Sequence, residues 1–279
     1  SAAAAESIAH ELLTHLDVPP STQTEALHLQ LTTTQVERPA LATYVGRESS
    51  IAALSEEAVR LENLPDARAL LRLGRAMVDL YCESFHEVPR RIVLDIDDTF
   101  DAVHGGQQLR LFNAHYDEYG FQPIVVFDGE GRFITAVLRP AKRPGGKEVL
   151  AFLRRLLRAI RANWPKTEIL LRGDSHYCCP EVLDWCRANG LDYILGVAPT
   201  TTLRRHIEGL EASTKARFEA APKDGKARRF KEFYDGAQSW SRVERIIARV
   251  EAGADGLDTR FVVTNLKKRN ARVLYEDVY

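Results

Sequence analysis

Residues 171–197 read LRGDSHYCCPEVLDWCRANGLDYILGV and contain a strand, a helix and a second strand in close succession. The first apolar run ends at Gly173, and the second apolar run, DYILGV, closes the stretch. Between the two runs, Pro180 stands at the start of a helical segment and Gly190 just after its end, where these residues are favoured. Strands that alternate with helices in this way predict a layered α/β core.

The flanking sequence adds further strands and helices to this unit. The stretch RRIVLDIDDTF (90–100) predicts a strand whose side chains alternate between two faces. One face carries Ile92, Leu94 and Ile96, and the other carries Val93, Asp95 and Asp97. The other predicted elements are a helix within 60–85, a hairpin in FQPIVVFDGEGRFITAVLRP (121–140), a helix over 146–163, and two late strands in RVERIIARVEAG (242–253) and TRFVVTNL (259–266).

The overall composition excludes several classes of protein. The 279 residues are 45% hydrophobic, which is enough for a sizeable core, and the net charge is −1, so no global basic field points to nucleic acid or membrane. Four cysteines give no disulfide framework and indicate a reduced, cytoplasmic setting. No apolar run approaches the roughly 18 residues that span a bilayer, so no membrane partner is expected.

Two carboxylates stand at the ends of apolar strands. Asp97 ends the run in 90–100, with Asp95 two residues before it, and Asp174 follows the run that ends at Gly173. Strand ends of an α/β sheet collect functional sites, and carboxylates brought together there repel unless a cation is shared. Hard oxygen ligands favour Mg²⁺ or Mn²⁺. Taken alone, Asp174 fits a turn or helix cap equally well.

Two families use carboxylates in such a setting. The stretch VLDIDDT (93–99) resembles the opening D-x-D-x-T motif of haloacid-dehalogenase-type phosphatases, in which Asp95 would be the nucleophile and Asp97 the acid/base. GDS (173–175) resembles that family's late metal motif, but the further Asp expected after it is missing. That fold also needs a helix after the first strand, whereas a hairpin is predicted here.

A closer resemblance runs through several blocks in order. RLENLPDARALLRLGRAMVDLY, IVLDIDDT, LFNAHYDEYGFQPIVVFDGEGRFITAVLRP, ILLRGDSHY, PEVLDWCRANGLDYILGV and RFVVTNL resemble bacterial insertion-sequence transposases of the DDE-domain group 1 type. The resemblance covers about residues 60–279. It implies a ribonuclease-H-like mixed sheet flanked by helices: three antiparallel strands, a helix, a strand, a helix and a strand. A β-rich insertion and a helical N-terminal region complete the expected fold.

The resemblance also implies a mechanism and a set of site residues. Asp97 would be the first catalytic carboxylate, with Asp95 as its rival, and Asp174 the second, holding a two-metal site of Mg²⁺ or Mn²⁺. The expected partners are DNA, as element terminal inverted repeats and target DNA, and a second copy of the chain in a homodimer on that DNA. The candidate DNA contacts are His176, Arg204, Arg205, Arg228, Arg229, Lys267 and Lys268. For any one arginine or lysine a solvated surface charge is the more common alternative, and His176 fits a solvent-exposed turn equally well.

The resemblance finally divides the chain and predicts a missing part. The divisions are a poorly specified helical segment (1–58), a helical connector (59–89), the catalytic core (90–199), a β-rich insertion (200–265) and the start of the C-terminal part of the core (266–279). The third acid of such enzymes, a Glu, follows a tyrosine-containing segment like VLYEDVY, with which this chain ends. Glu276 is the only late Glu near that place. We therefore expect an incomplete fragment that does not cut DNA, or alternatively a catalytically dead fragment that only binds DNA.

Overall fold

A computed structural model of the chain describes residues 67–104, 109–220 and 225–279. The predicted N-terminal segment, 1–58, and the first part of the connector lie outside these ranges. The described elements are α1 (Ala67–Glu83), β1 (Arg91–Asp98), β2 (Asp101–Ala102), β3 (Leu111–Asn113), β4 (Glu118–Phe121), β5 (Ile124–Asp128), β6 (Phe133–Val137), α2 (Gly146–Asn163), β7 (Glu168–Gly173), α3 (Pro180–Ala188), β8 (Asp192–Val197), α4 (Thr201–Arg205), α5 (Glu208–Glu219), β9 (Ala227–Asp235), β10 (Glu244–Gly253), β11 (Gly256–Thr264) and α6 (Ala271–Val273), which continues as a π-helix over Leu274–Val278.

Eight strands form the mixed main sheet, three of them in a first compact unit and five in a second. The first unit comprises the described chain up to Arg143 together with Ala151–Thr167. The second comprises Pro144–Leu150 and Glu168–Tyr279. The order of elements, with three antiparallel strands followed by α2, β7, α3 and β8, is ribonuclease-H-like, as predicted.

In the first unit, strands β6, β5 and β1 lie side by side in that order and are antiparallel. In β1 the alternation predicted from the sequence is confirmed, because Ile92, Leu94 and Ile96 are buried while Asp97 is exposed. The phosphatase fold requires a helix after the first strand. Here β1 is followed by the short strands β2, β3 and β4 and then by the β5–β6 hairpin, so the phosphatase interpretation is wrong.

Helix α1 and the part of α2 from Ala151 onward lie in the first unit. The Thr135 hydroxyl on β6 donates a hydrogen bond to the Gly74 carbonyl on α1 at 3.1 Å. At the far end of α1, the Tyr81, Phe85 and Trp164 rings form an edge-to-face cluster with centroids 5.0–5.6 Å apart. Such contacts between sheet and helices close the core that the apolar runs predict.

A small second sheet, β2-β4-β3, was not predicted from the sequence. It lies in the first unit, between β1 and β5 along the chain, and its strands are antiparallel. Strands of two to four residues with few buried side chains give only a weak periodic signal, so the alternation was too short to recognise.

In the second unit, β7 and β8 are parallel and α3 connects them, while β11, β10 and β9 extend the sheet from β8 in antiparallel pairs. The two late strands predicted from the sequence correspond to β10 and β11. Helices α4 and α5, which the sequence did not predict, precede β9, so residues 200–265 begin with helices and continue as strands of the main sheet. The boundaries proposed for an insertion stay a prediction.

Candidate functional site

The carboxylate of Asp97 lies on the exposed side of β1, one residue before the strand ends. Asp97 is opposite Val125 of β5 in the register, and its Oδ1 accepts the backbone N–H of Asp98 at 2.8 Å. This hydrogen bond orients the carboxylate. Asp97 is thus a solvent-facing anion on a strand whose other face is buried.

The neighbouring acids of β1 are placed differently. Asp95 and Asp98 are half-buried. The side-chain amide of Gln122 donates a hydrogen bond to Asp98 Oδ2. Asp95, the rival of Asp97 for the first catalytic position, shares the Asp97 face of the strand.

Asp174 lies just beyond the end of β7, in the turn that leads to α3. Its Oδ1 accepts the backbone N–H of His176 at 2.8 Å, and its carbonyl accepts the N–H of Tyr177 at 3.3 Å. The side chain of Asp174 is 47% exposed, whereas Tyr177 is fully buried and anchors the turn. The His176 ring places Nδ1 at 3.7 Å from Asp174 Oδ2, so the structure brings these two predicted site residues together.

A glycine on the neighbouring strand permits this placement of Asp174. A Cβ built on Gly196 of β8 would lie 2.9 Å from the Ser175 nitrogen and 3.2 Å from the Asp174 carbonyl carbon. Real Cβ atoms require more room than that, so only glycine lets the Asp174–Ser175 backbone come this close. The sequence analysis missed Gly196, although an isolated glycine inside a strand is a known signal of close backbone approach.

The C-terminal π-helix packs on the same side of the second unit. The Arg172 guanidinium donates a hydrogen bond to the Val278 carbonyl at 3.0 Å, and the Tyr279 hydroxyl lies 2.9 Å from the position of the Gly196 Cβ. Partial burial raises the pKa of Tyr279, and repulsion from the Tyr275 phenol in its ionised form and from the Asp174 carboxylate raises it further. Arg172 and Tyr279 therefore support the Asp174 turn, and nothing in their sequence pattern indicated it.

Glu276, the late acid nearest to the expected third position, is held by two arginines. Arg228 Nη1 lies 3.0 Å and Arg272 Nε 2.6 Å from its carboxylate oxygens. These hydrogen bonds, the one from Arg272 above all, keep the pKa of Glu276 below its usual value. Its role in the described structure is an ion-pair network on β9 and the C-terminal helix.

The described residues offer a limited choice of metal ligands. Within 67–104, 109–220 and 225–279, no three His, Cys, Asp or Glu side chains form a group that could hold a metal ion. Burial raises the pKa of Cys82, Cys178 and Cys186 to about 12, so these thiols stay protonated near neutral pH. Asp97 and Asp174 do fit Mg²⁺ or Mn²⁺ in their chemistry, since both present exposed carboxylate oxygens oriented by a backbone N–H.

The basic residues expected to contact DNA are spread over the second unit. Arg204 and Arg205 lie exposed on α4, and Lys267 and Lys268 lie exposed after β11. Three of the arginines have protein partners. Arg204 Nη1 lies 3.6 Å from Glu211 Oε1, Arg229 donates to the Ser213 hydroxyl at 2.6 Å, and Arg228 is paired with Glu251 and Glu276. The Arg228 charge is therefore already neutralised by carboxylates.

Comparison with known proteins identifies a solved structure with a similar fold and a matching family. A solved structure described as the piggyBac transposase synaptic complex with hairpin DNA is similar at 10% identity and a TM-score of 0.42. The match covers 95% of this chain and 58% of that one, so this chain spans little more than half of the piggyBac chain's length. No curated protein matches significantly.

The family model described as transposase DDE domain group 1 matches residues 33–279. The match therefore begins well before residue 60, where the resemblance seen in the sequence blocks started. It includes β1 with Asp97, the turn with Asp174 and the C-terminal helix. Because the match extends over most of the sequence and through both units, the chain belongs to the group 1 transposases of the DDE-domain family.

Proposed function

We propose that this chain is the catalytic core of a DNA transposase, which cleaves DNA strands at the ends of a mobile element and transfers them to target DNA. Asp97 and Asp174 are the proposed metal-binding carboxylates, with Asp95 in support. Membership of the DDE transposase family makes this class of phosphoryl-transfer chemistry the first candidate.

One observation carries the proposal: two strands with buried apolar side chains each end in a solvent-facing, pre-oriented carboxylate. Asp97 and Asp174 both use Oδ1 to accept a backbone N–H at 2.8 Å. A hydrogen bond of this kind fixes the orientation of the carboxylate without neutralising its charge. The arrangement supports a role in holding a cation.

The side chains of the protein bind and orient in this proposal. Asp97 and Asp174 would hold Mg²⁺ or Mn²⁺, which supplies charge neutralisation at the reacting phosphate and a more acidic attacking hydroxyl. His176, 3.7 Å from Asp174 Oδ2, would contact a phosphate oxygen. The imidazole ring attracts phosphate in its protonated form, in which both ring nitrogens donate hydrogen bonds.

Exposed basic residues of the second unit would contact the DNA backbone. Arg204, Arg205, Lys267 and Lys268 are exposed, and Arg229 is half-buried. Arg228 is the weakest of the predicted contacts because Glu251 and Glu276 already bind it. Contacts of this kind make binding depend on salt and carry no sequence information. The proposed partners remain element ends and target DNA, bound by a homodimer.

A titration with Mn²⁺ tests the metal-binding part of the proposal. Binding measured by electron paramagnetic resonance should weaken at least about tenfold in Asp97→Asn and in Asp174→Asn, since each variant removes a charged ligand. Asp255→Asn is the matched control, because Asp255 is an exposed acid in the β10–β11 turn. Equal Mn²⁺ affinity in all four proteins would refute the proposal.

A second measurement separates catalysis from DNA binding alone. The chain is incubated with Mn²⁺ and DNA that carries the element's ends, and nicks are counted with and without Asp174→Asn. DNA binding with no Mn²⁺ binding and no Asp174-dependent nicks would favour the alternative of a fragment that only binds DNA.

A further inference from the structure

The small sheet β2-β4-β3 carries an unusual concentration of exposed apolar side chains. Of the eleven large hydrophobic side chains that are exposed in the described ranges, five lie between residues 109 and 119. Phe112 is 45% and Tyr119 47% exposed, although Phe121, on the same strand as Tyr119, is buried. Exposed apolar side chains gathered in one short segment mark interaction surfaces more often than isolated ones do.

Two of these rings form a face with a cation. Phe112 on β3 and Tyr119 on β4 are direct register partners, so their side chains share one side of the sheet. Their ring centroids are 5.3 Å apart at 62°, and the Arg110 guanidinium lies 4.7 Å from the Tyr119 centroid. We call Arg110, Phe112 and Tyr119 the aromatic face.

The opposite side of the small sheet is contacted by the Phe100 ring of the same chain. A Cβ on Gly120 would lie 2.8 Å from the Phe100 ring, and Phe100 stacks on Tyr116 with centroids 4.3 Å apart. Rings on that side thus have partners within the chain. The aromatic face presents two rings outward, so an external planar group could lie against them.

Several cations lie near the aromatic face. The N–H of Ala141 donates to the Gly120 carbonyl of β4 at 3.3 Å, which brings the exposed residues Lys142 and Arg143 to the small sheet. With Arg110 they make three cations. The nearby acids are Asp101 on β2, Asp117 in the β3–β4 turn, and Glu118, whose side chain alternates away from Tyr119. Asp101 is opposite Phe121 in the register and therefore lies on the same side of the small sheet as Tyr119.

We propose that the aromatic face binds an unpaired base of a DNA strand by stacking, with Arg110, Lys142 and Arg143 near its phosphates. Aromatic rings and nearby cations are the combination that single-stranded nucleic acid requires, because every base offers a planar face and every nucleotide a negative charge. The inference rests on the proposed function, since it concerns the DNA on which that chemistry would act. It assigns the unpaired part of that DNA to the first unit.

Fluorescence anisotropy with the whole chain tests this proposal, in EDTA so that no strand is cut. The probes are a labelled single strand of about 20 nucleotides, long enough to cover one binding site, and a blunt duplex of the same length. The double variant Phe112→Ala/Tyr119→Ala should bind the single strand at least about tenfold more weakly and the duplex within about twofold of wild type. Tyr119→Phe keeps the ring and should bind like wild type. The matched control is Tyr234→Ala, a 66% exposed tyrosine on β9, which should also bind normally.

A second probe keeps the test valid if the double variant does not fold. A single strand that contains 2-aminopurine should lose emission when wild-type protein binds, because stacking on a ring quenches the base. Unchanged emission on binding, or unchanged affinity in a folded double variant, would overturn the proposal. So would equal loss of strand and duplex binding, or a change in oligomeric state that shows the face to be a protein interface.

The outcome is separable from that of the proposed function. If Mn²⁺ binding is absent while the aromatic face binds the strand, the proposed chemistry fails and this inference stands. If wild-type protein binds Mn²⁺ but no single strand, the proposed function stands and this inference fails.

Discussion

Acidic side chains occur in this molecule in two contrasting settings. Asp97 and Asp174 end strands of the main sheet, face solvent and each accept a backbone N–H from their own turn or strand end. Asp128 and Glu251 are buried, and their carboxylates accept hydrogen bonds from several side chains. The contrast indicates that the exposed pair contributes little to stability. The proposed function assigns its charges to the binding of a cation.

The buried acids show what a structural carboxylate needs here. Asp128 accepts the Tyr81 hydroxyl at 3.0 Å, the Arg132 side chain at 3.2 Å, and the backbone N–H groups of Glu130 and Arg132 in the β5–β6 turn. Burial and the Asp128 charge raise the pKa of Tyr81, so its hydroxyl stays protonated and donates. Every oxygen of such a group is occupied by the fold.

The largest expected effect is on the free energy of unfolding, when a buried acid and an exposed acid are each replaced by alanine. Asp128→Ala should lower the free energy of unfolding by about 3 kcal/mol, because buried donors lose their acceptor, whereas Asp97→Ala should change it by less than about 0.5 kcal/mol. Urea unfolding followed by circular dichroism measures both. A loss above about 2 kcal/mol in Asp97→Ala would show that the exposed acid is structural too.

The next largest expected effect is the contribution of Glu251 to folding stability, which depends on pH. Hydrogen bonds from Lys226 and Arg228, with the Lys226 bond the larger effect, lower the pKa of Glu251 from 4.5 to about 2. Since its folded pKa is depressed, the stabilisation by Glu251 is present above pH 4.5 and is lost as the pH falls toward 2. Glu251→Gln should cost about 2 kcal/mol at pH 7 and progressively less through this window.

Unfolding of the wild type and of the Glu251→Gln variant, compared at several pH values from neutral down to about 2, checks the sign as well as the size. The difference between the two proteins isolates this group from other titrating carboxylates. A difference that grows as the pH falls would contradict the proposed ion pairs.

A smaller loss of stability is expected when Gly196, which lies against the Asp174 turn, is replaced. Gly196→Ala places a methyl group 2.9 Å from the Ser175 nitrogen and should cost about 1–2 kcal/mol. It should also weaken Mn²⁺ binding by displacing Asp174. The matched control is Gly209→Ala in α5, where a Cβ meets nothing within 4 Å; it should stabilise by up to about 1 kcal/mol. Equal effects of the two substitutions would refute the close approach.

The smallest expected effect concerns Glu276. Because Arg228 and Arg272 bind its carboxylate at the surface, Glu276→Gln should lower the melting temperature only slightly and leave Mn²⁺ binding unchanged. Calorimetry and the Mn²⁺ titration measure the two quantities. A weakening of Mn²⁺ binding comparable with that of Asp174→Asn would show that Glu276 is a metal ligand. Glu276 would then resemble Asp97 and Asp174 and not the structural acids Asp128 and Glu251.

Local sequence patterns were sufficient to predict the regular elements with strong periodicity. The face assignment of β1, the β5–β6 hairpin, the bounds of α2 at Gly146 and Asn163, and the strand–helix–strand unit from β7 to β8 are confirmed. In each of them, local pattern and helix-terminal residues agree with the burial that the sheet imposes. The family and the two strand-end acids followed from the same stretches.

The support around those acids depends on tertiary packing and could not be read from local patterns. The folded chain revealed α4, α5 and the small sheet, whose short or weakly amphipathic sequences carry little periodic signal, and it placed Gly196, Arg172 and Tyr279 around Asp174. Residues that meet across strands of the second unit leave no trace in local spacing, because their contacts depend on which strands become neighbours. Periodicity fixes the face on which a side chain lies; packing between distant segments fixes what it touches.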